Sequence, residues 1–176
     1  LGTITMIAVS KKICLLGDFG VGKTSLVRRF VYDLFDDRYL STVGVKVSRK
    51  TVMVPHQDDM VEMTMMLWDL AGSEEFDRVR ASYLRGTAGA ILVCDLTRPS
   101  TLDSLRSYLR DLSSISPHAR IVLAGNKRDL LDQRQLAAAQ IEAFATEHNF
   151  QWYLTSARNG DEVETVFRHL GRALLT

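Results

Sequence analysis

Apolar and polar positions alternate along this chain in two rhythms, one suited to strands and one to helices. From Ile7 to Leu16 the apolar residues predict a buried first strand. A glycine-rich turn follows at once, and then Leu26, Val27 and Phe30 recur on one side of a helix. Val45 to Val54 and Met60 to Trp68 read as an antiparallel hairpin joined by Pro55, His56, Gln57, Asp58 and Asp59. In its second arm Val61, Met63, Met65 and Leu67 share one face, and Glu62, Thr64, Met66 and Trp68 the other. The methionines are expected in the core.

Continuous apolar runs at Ala88 to Cys94 and Ile121 to Gly125, with a shorter one at Gln151 to Thr155, predict parallel strands covered on both faces. Between them lie amphipathic helices. Leu102, Leu105, Leu109 and Leu112 form a stripe behind Ser100 as N-cap, and Ile141, Phe144 and Ala145 mark the next helix. Val163, Val166, Phe167, Leu170 and Leu174 form the last buried face, with Asp161 and Glu164 in a capping arrangement after the Asn159-Gly160 turn. No linker, repeat or low-complexity segment interrupts the alternation, so residues 1–176 are expected to make one α/β domain.

Composition narrows the classes. The 176 residues are 46% apolar and 24% charged, which excludes disordered, collagenous and membrane-spanning chains. Lysine and arginine number 22 against 21 acids, so bulk charge gives no reason to expect a nucleic acid or an anionic membrane. Cys14 and Cys94 sit far apart in apolar runs and read as reduced, buried thiols of a cytoplasmic protein. His56, His118, His148 and His169 lack ligand spacing and receive no metal role. No stretch reaches the roughly 18 apolar residues of a membrane span, and the opening LGTITMIAV lacks a basic leader and a cleavage site, so export is not expected. Beginning at Leu1 and stopping at Thr176 directly after a helical pattern, the chain reads as a trimmed piece.

Three short segments carry chemistry. Gly17-Asp18-Phe19-Gly20-Val21-Gly22-Lys23-Thr24, between a strand and a helix, satisfies the Walker A pattern. Its glycines let backbone amides converge on phosphate oxygens, the helix offers its positive end, Lys23 neutralises the terminal phosphates and Thr24 ligates Mg²⁺. Asp69-Leu70-Ala71-Gly72 ends the hairpin's second strand, where Asp69 can hold a metal-bound water and Gly72 can present an amide to a γ-phosphate. Asn126-Lys127-Arg128-Asp129 follows a buried strand at the carboxyl edge where open α/β sheets bind ligands. There Asp129 can accept hydrogen bonds from N1 and N2 of guanine, a donor pair that adenine lacks, which decides the base.

With these motifs in this order the chain resembles the Ras-like small GTPases, and among them the Rab branch, from about Val9 to Leu175. The resemblance implies a P-loop NTPase fold: a mixed, mostly parallel six-stranded sheet flanked by about five helices. It places Ser25 with the phosphate-binding residues, Phe35 against the base, Tyr39 over the phosphates, and Thr42 on Mg²⁺ in the GTP state. Thr155-Ser156-Ala157 matches the last guanine-contacting motif, in which the amide after Ser156, that of Ala157, meets guanine O6; Arg158 stands where lysine is usual. Ser82-Tyr83-Leu84-Arg85-Gly86 looks like the Rab sequence after the second switch, although Val47 replaces one of three effector-facing aromatics, beside Trp68 and Tyr83, and Leu70 replaces a common threonine. Exchange factors, activators and effectors are the implied partners, through the switch regions. Membrane association is not readable from this chain.

Two departures bear on turnover. Ser73 stands where the family has a glutamine that orients the attacking water, and Phe19 where it has a small P-loop residue. The expected protein is therefore a GTP/GDP switch with Mg²⁺ that hydrolyses GTP slowly, with Lys23, Gly72 and Ser73 at the reacting end. The alternatives are a pseudo-GTPase or a G domain of a larger scaffold, both with negligible hydrolysis, and a small-molecule kinase or ATPase using the same loop, against which Asp129 and Ser156-Ala157 argue.

Overall fold

The computed structural model describes residues 6–36, 38, 42, 44–70 and 73–176, without the side chains of 73–75. The strands are β1 (Ile7–Leu16), β2 (Val45–His56), β3 (Asp59–Leu70), β4 (Gly89–Asp95), β5 (Arg120–Asn126) and β6 (Gln151–Leu154). The helices are α1 (Lys23–Tyr32), α2 (Ser73–Leu84), the single turn α3 (Ser100–Asp103), α4 (Leu105–Ile115), α5 (Ala138–His148) and α6 (Val163–Ala173). Among the described residues the strands form one sheet in the order β2-β3-β1-β4-β5-β6. Only β2 and β3 pair antiparallel; the other neighbours are parallel. This is the mixed, mostly parallel α/β architecture that the alternating pattern predicts.

Each face of the sheet buries its own core. On one face Ile13, Leu15, Met63, Met65, Leu67, Ile91 and Val93 pack under α1 and α6, where the rings of Phe30 and Phe167 stack with centroids 4.0 Å apart. On the other, Cys14, Leu16, Leu92, Cys94 and Leu123 meet Phe76 and Tyr83 of α2, Leu105, Leu109 and Leu112 of α4, and Ile141 and Phe144 of α5. Burial pushes the Cys14 and Cys94 thiols up to about 11 and about 12. The methionine-rich face of β3 is core, as its period of two requires.

Local details differ from the sequence reading in three places. The hairpin ladder runs from Val45↔Leu70 to His56↔Asp59, so the turn is only Gln57 and Asp58, with Gln57 left-handed at φ 55. Pro55 stays in the ladder because β2 is an edge strand, where a missing N–H is tolerated. Ser100 is not the cap of the stripe helix: it begins the single turn α3 behind Pro99, and Ser104 holds the N-cap position of α4 without a side-chain bond. The cap expected from Asp161 is also absent. Glu162, at φ 58, precedes α6 without a side-chain cap, the Asp161 carbonyl accepts from the Ser156 amide, and Glu164 accepts from Arg168 Nε at 2.8 Å. Leu174 follows α6 and is half-buried.

Chain order leaves β1 in two directions, toward β3 and β2 on one side and β4, β5 and β6 on the other. That reversal opens a crevice beyond the carboxyl ends of the strands. Among the described residues singled out by sequence, the phosphate loop after β1, Asp69 near the end of β3, and the residues at the end of β5 and after β6 lie at that edge. Among the described residues no helix is long and apolar enough to cross a membrane.

Candidate nucleotide site

β1 ends at Leu16, and the chain turns through Gly17 to Gly22 before α1 begins at Lys23. Gly22, at φ 102, is the N-cap of α1, a backbone shape that side chains resist, and a Cβ there would collide with Asn126 Nδ2. No side chain caps α1 and no acid lies in its first turn, which keeps its positive end available for an anion. Lys23 is buried and donates from Nζ to the carbonyls of Gly17 at 2.8 Å and Asp18 at 3.1 Å. Burial pushes its pKa down, while Asp69 and Asp18 draw it up. Asn126 Nδ2 donates to the Val21 carbonyl at 2.9 Å, so the phosphate loop is tied to the end of β5.

Beside Lys23, three oxygen-bearing side chains converge. Thr24 Oγ1 is in hydrogen-bond contact with Thr42 Oγ1 and donates to Asp69 Oδ2, and Thr42 Oγ1 donates to the same oxygen at 3.3 Å. Asp69 is 2% exposed, and its Oδ1 has no hydrogen-bond partner among the described residues. Burial raises its pKa against the pull of the Thr24 hydroxyl and Lys23. Two hydroxyls and a carboxylate with an orphaned oxygen are a hard-oxygen set that fits Mg²⁺, which takes one or two carboxylates and completes its shell from phosphate and water. Thr24, Thr42 and Asp69 are the residues that would hold it.

Across the crevice, Asn126 Oδ1 accepts from Thr155 Oγ1 at 3.1 Å and from the Ala157 amide at 3.3 Å. Asp129 Oδ1 accepts from Ser156 Oγ at 2.8 Å, and that hydroxyl oxygen accepts from the Asn159 amide at 3.0 Å. The loops after β5 and β6 are thereby fixed to one another. Lys127 Nζ lies 2.8 Å from Asp95 Oδ2. Asp95, at the end of β4, is wholly buried, and it also accepts from the Thr97 amide and hydroxyl and from Arg98 Nε. Burial alone would raise its pKa, but Lys127 and Thr97 hold it below the ordinary aspartate value. Arg98 Nη2 donates to the Phe19 carbonyl at 2.9 Å, so the network ends on the phosphate loop.

One cleft of about 290 Å³ joins these corners. Phe19, Gly20, Gly22, Lys23, Thr24, Ser25, Phe35, Thr42, Asp69, Asn126, Lys127, Asp129 and Ala157 line it. Gly17 and Val21 are buried, and the Asp18 carboxylate accepts from the Tyr108 hydroxyl of α4 at 3.3 Å. Ser156 is buried and reaches the cleft only through Asp129. Tyr39 and Gly72 lie outside the described residues; Ser73 begins α2, and its side chain is outside them too. Phe19 is 51% exposed on the cleft.

Tyr83, expected on the effector face, is instead 1% exposed: its hydroxyl sits between the carbonyls of Trp68 at 2.6 Å and Leu15 at 3.1 Å, and Phe76 packs on its ring. Val47 pairs across the ladder with Trp68 and is exposed. Arg29, Asp95, Arg98 and Tyr108 were missed by sequence reasoning. An acid directly after the apolar run ending at Cys94 was a usable signal for Asp95; the others have no local signature.

The profile of the Ras family matches residues 12–176. The chain is 34% identical to the GTP-binding protein ypt5 of Schizosaccharomyces pombe, over 96% of this chain and 80% of that protein. It is 37% identical to the Ras-related protein Rab-22A of Mus musculus, over 93% and 82% of the two chains. It is 33% identical to the Ras-related protein Rab-13 of Rattus norvegicus, over 93% and 79%.

Proposed function

Because this chain belongs to the Ras family, within its Rab branch, we propose that it is a guanine-nucleotide switch that binds GTP or GDP with Mg²⁺ and hydrolyses GTP slowly. The observation that carries this reading is the joining, in one cleft, of a phosphate loop around Lys23, the oxygen corner of Thr24, Thr42 and Asp69, and a purine edge formed by Asn126, Lys127 and Asp129. Each part serves a different portion of a nucleoside phosphate.

Lys23 gives up two carbonyl partners to face the terminal phosphates, and the amides from Gly20 to Ser25 close round them. Asp129, held by Ser156, selects guanine by accepting from N1 and N2. Thr24, Thr42 and Asp69 would hold Mg²⁺, which would supply positive charge against the phosphates. Thr42 and Gly72 respond to the γ-phosphate, so the segments that carry them present different surfaces to exchange factors, activators and effectors in the two states. The resulting protein is a signalling switch of the cytoplasm, in the vesicle-trafficking branch of its family, with residues 1–176 as its G domain.

Slow hydrolysis follows from two side chains. A serine hydroxyl at position 73 is too short to orient water as glutamine does, and Phe19 occupies space that the water and an activator's arginine would need. The Ser73→Gln, Phe19→Gly double variant is expected to hydrolyse bound GTP at least tenfold faster in single turnover, on the order of one to a few kcal/mol of barrier. Equal rates would remove the proposal of slowed chemistry. Exposure of the Phe19 ring on the cleft favours a second reading, nucleotide retained with negligible turnover. Chromatography of the nucleotide that co-purifies, with phosphate release followed over hours, separates the two: GDP marks turnover and GTP marks arrest.

A further inference from the structure

Arg29 lies in the last turn of α1, outside the cleft, with its guanidinium turned toward the loop after β6. Its Nε donates to the Ala157 carbonyl at 2.8 Å, and Nη2 donates to the Arg158 carbonyl. Nη1 donates to Asp33 Oδ1 at 3.0 Å. Asp33 is the left-handed C-cap of α1, two residues before Phe35 on the cleft wall.

Ala157 is therefore held from two sides. From inside, Asn126 Oδ1 accepts from its amide; from outside, Arg29 takes its carbonyl and the next one. A planar guanidinium bonds two carbonyls at once from a fixed fork, which an ammonium cannot do. The Asp33 contact adds little, because that carboxylate is fully hydrated at 91% exposure and an exposed ion pair contributes at most about 1 kcal/mol. The hold is the pair of carbonyl bonds, and they join the helix that starts at the phosphates to the loop that borders the purine.

Resting on the guanine-nucleotide reading above, we propose that Arg29 is a positioning residue that fixes the Ala157 loop to the end of α1 and so sets how long the nucleotide stays bound. It touches neither base nor phosphate. Its loss frees the outer side of the loop, and the purine edge then opens more often while Lys23 and the oxygen corner are unaltered. An exchange factor that pulled the end of α1 away from this loop would release nucleotide by the same route.

The test loads the full chain with N-methylanthraniloyl-GDP and Mg²⁺ and follows its release into excess GDP. Arg29→Met, which keeps the apolar stem and removes every donor, is expected to release roughly tenfold faster, the effect of losing one or two charge-assisted bonds. Arg29→Lys, able to serve one carbonyl at a time, is expected to fall between, about threefold faster than the wild-type chain. Hydrogen exchange supplies the readout that a general loss of stability would not give: amides of residues 157–160 exchange faster in Arg29→Met, while those of β1, β4 and β5 keep their protection.

Release at the wild-type rate from a folded Arg29→Met chain overturns the inference, as does faster exchange spread evenly over the sheet. Should Arg29→Met fail to fold, Arg29→Lys carries the test, and release from it at the wild-type rate overturns the proposal. A wild-type chain that retains no guanine nucleotide overturns the binding reading itself; normal wild-type loading with unaltered variants overturns only the role of Arg29.

Discussion

Asp69 and Asp129 are carboxylates whose surroundings assign them opposite tasks. Asp69 is buried with one oxygen unpartnered among the described residues, and burial raises its pKa, so the fold disfavours its charge unless a cation is bound. Asp69→Asn is accordingly expected to melt no lower than the wild-type chain when both are free of nucleotide and metal. The same variant loses the Mg²⁺-dependent tightening of GDP, which titrations with and without chelator would detect. Asp129 has one oxygen fixed by Ser156 and is a lining residue of the cleft. In Asp129→Asn the side-chain amide is mismatched to the donors of guanine, so GDP binding should weaken by about a hundredfold. Xanthine nucleotide, whose 2-oxo group accepts, should bind better, and competition between the two diphosphates measures the reversal.

Between elements, the ends of β1, β4 and β5 are joined by one carboxylate. Asp95 pairs with Lys127 after β5 and with Arg98, whose guanidinium reaches the phosphate loop after β1. The folded-state pKa of Asp95 lies below the ordinary aspartate value of 3.8. Its contribution to stability is thus fully present above that value and is lost as the pH falls through the depressed one. Asp95→Asn should lower stability at neutral pH by on the order of 1–3 kcal/mol, because Lys127 and Arg98 lose their counter-charge. The gap between variant and wild type should narrow as acid titrates the wild-type carboxylate, and denaturant melts across an acid pH series would show a constant gap if the idea is wrong. Helix ends show the reverse case. Ser100 and Asp161 have good capping chemistry and cap nothing, because Pro99 and the left-handed Glu162 set where their helices begin.

At the scale of the whole molecule, binding and folding are linked, since phosphate loop, oxygen corner and purine edge exist together only when the sheet is assembled. GDP with Mg²⁺ at about a hundred times its dissociation constant should add roughly 2.7 kcal/mol, raising Tm by about 5–10 °C. ATP at the same concentration should leave Tm where it was; an equal rise with ATP would remove guanine selection. The strands, their two-faced burial and the phosphate loop were legible in the chain because each is a local demand: a buried strand needs an unbroken apolar run, and a loop that crowds Asn126 against Gly22 tolerates no side chain there. Asp69 near the end of β3 and the loop after β5 were legible for the same reason, a short polar motif at the carboxyl end of an apolar strand. Partners distant in sequence were not. Arg29 meets Ala157, Arg98 meets Phe19, Tyr108 meets Asp18 and Tyr83 turns inward beneath Phe76 only after β-strand register and helix docking have brought their elements together. Such contacts depend on the sum of many packing choices and leave no period or spacing in the chain. The amino-acid order therefore determined which chemistry gathers at the sheet's edge, and the assembled fold decided which side chains hold that chemistry in place.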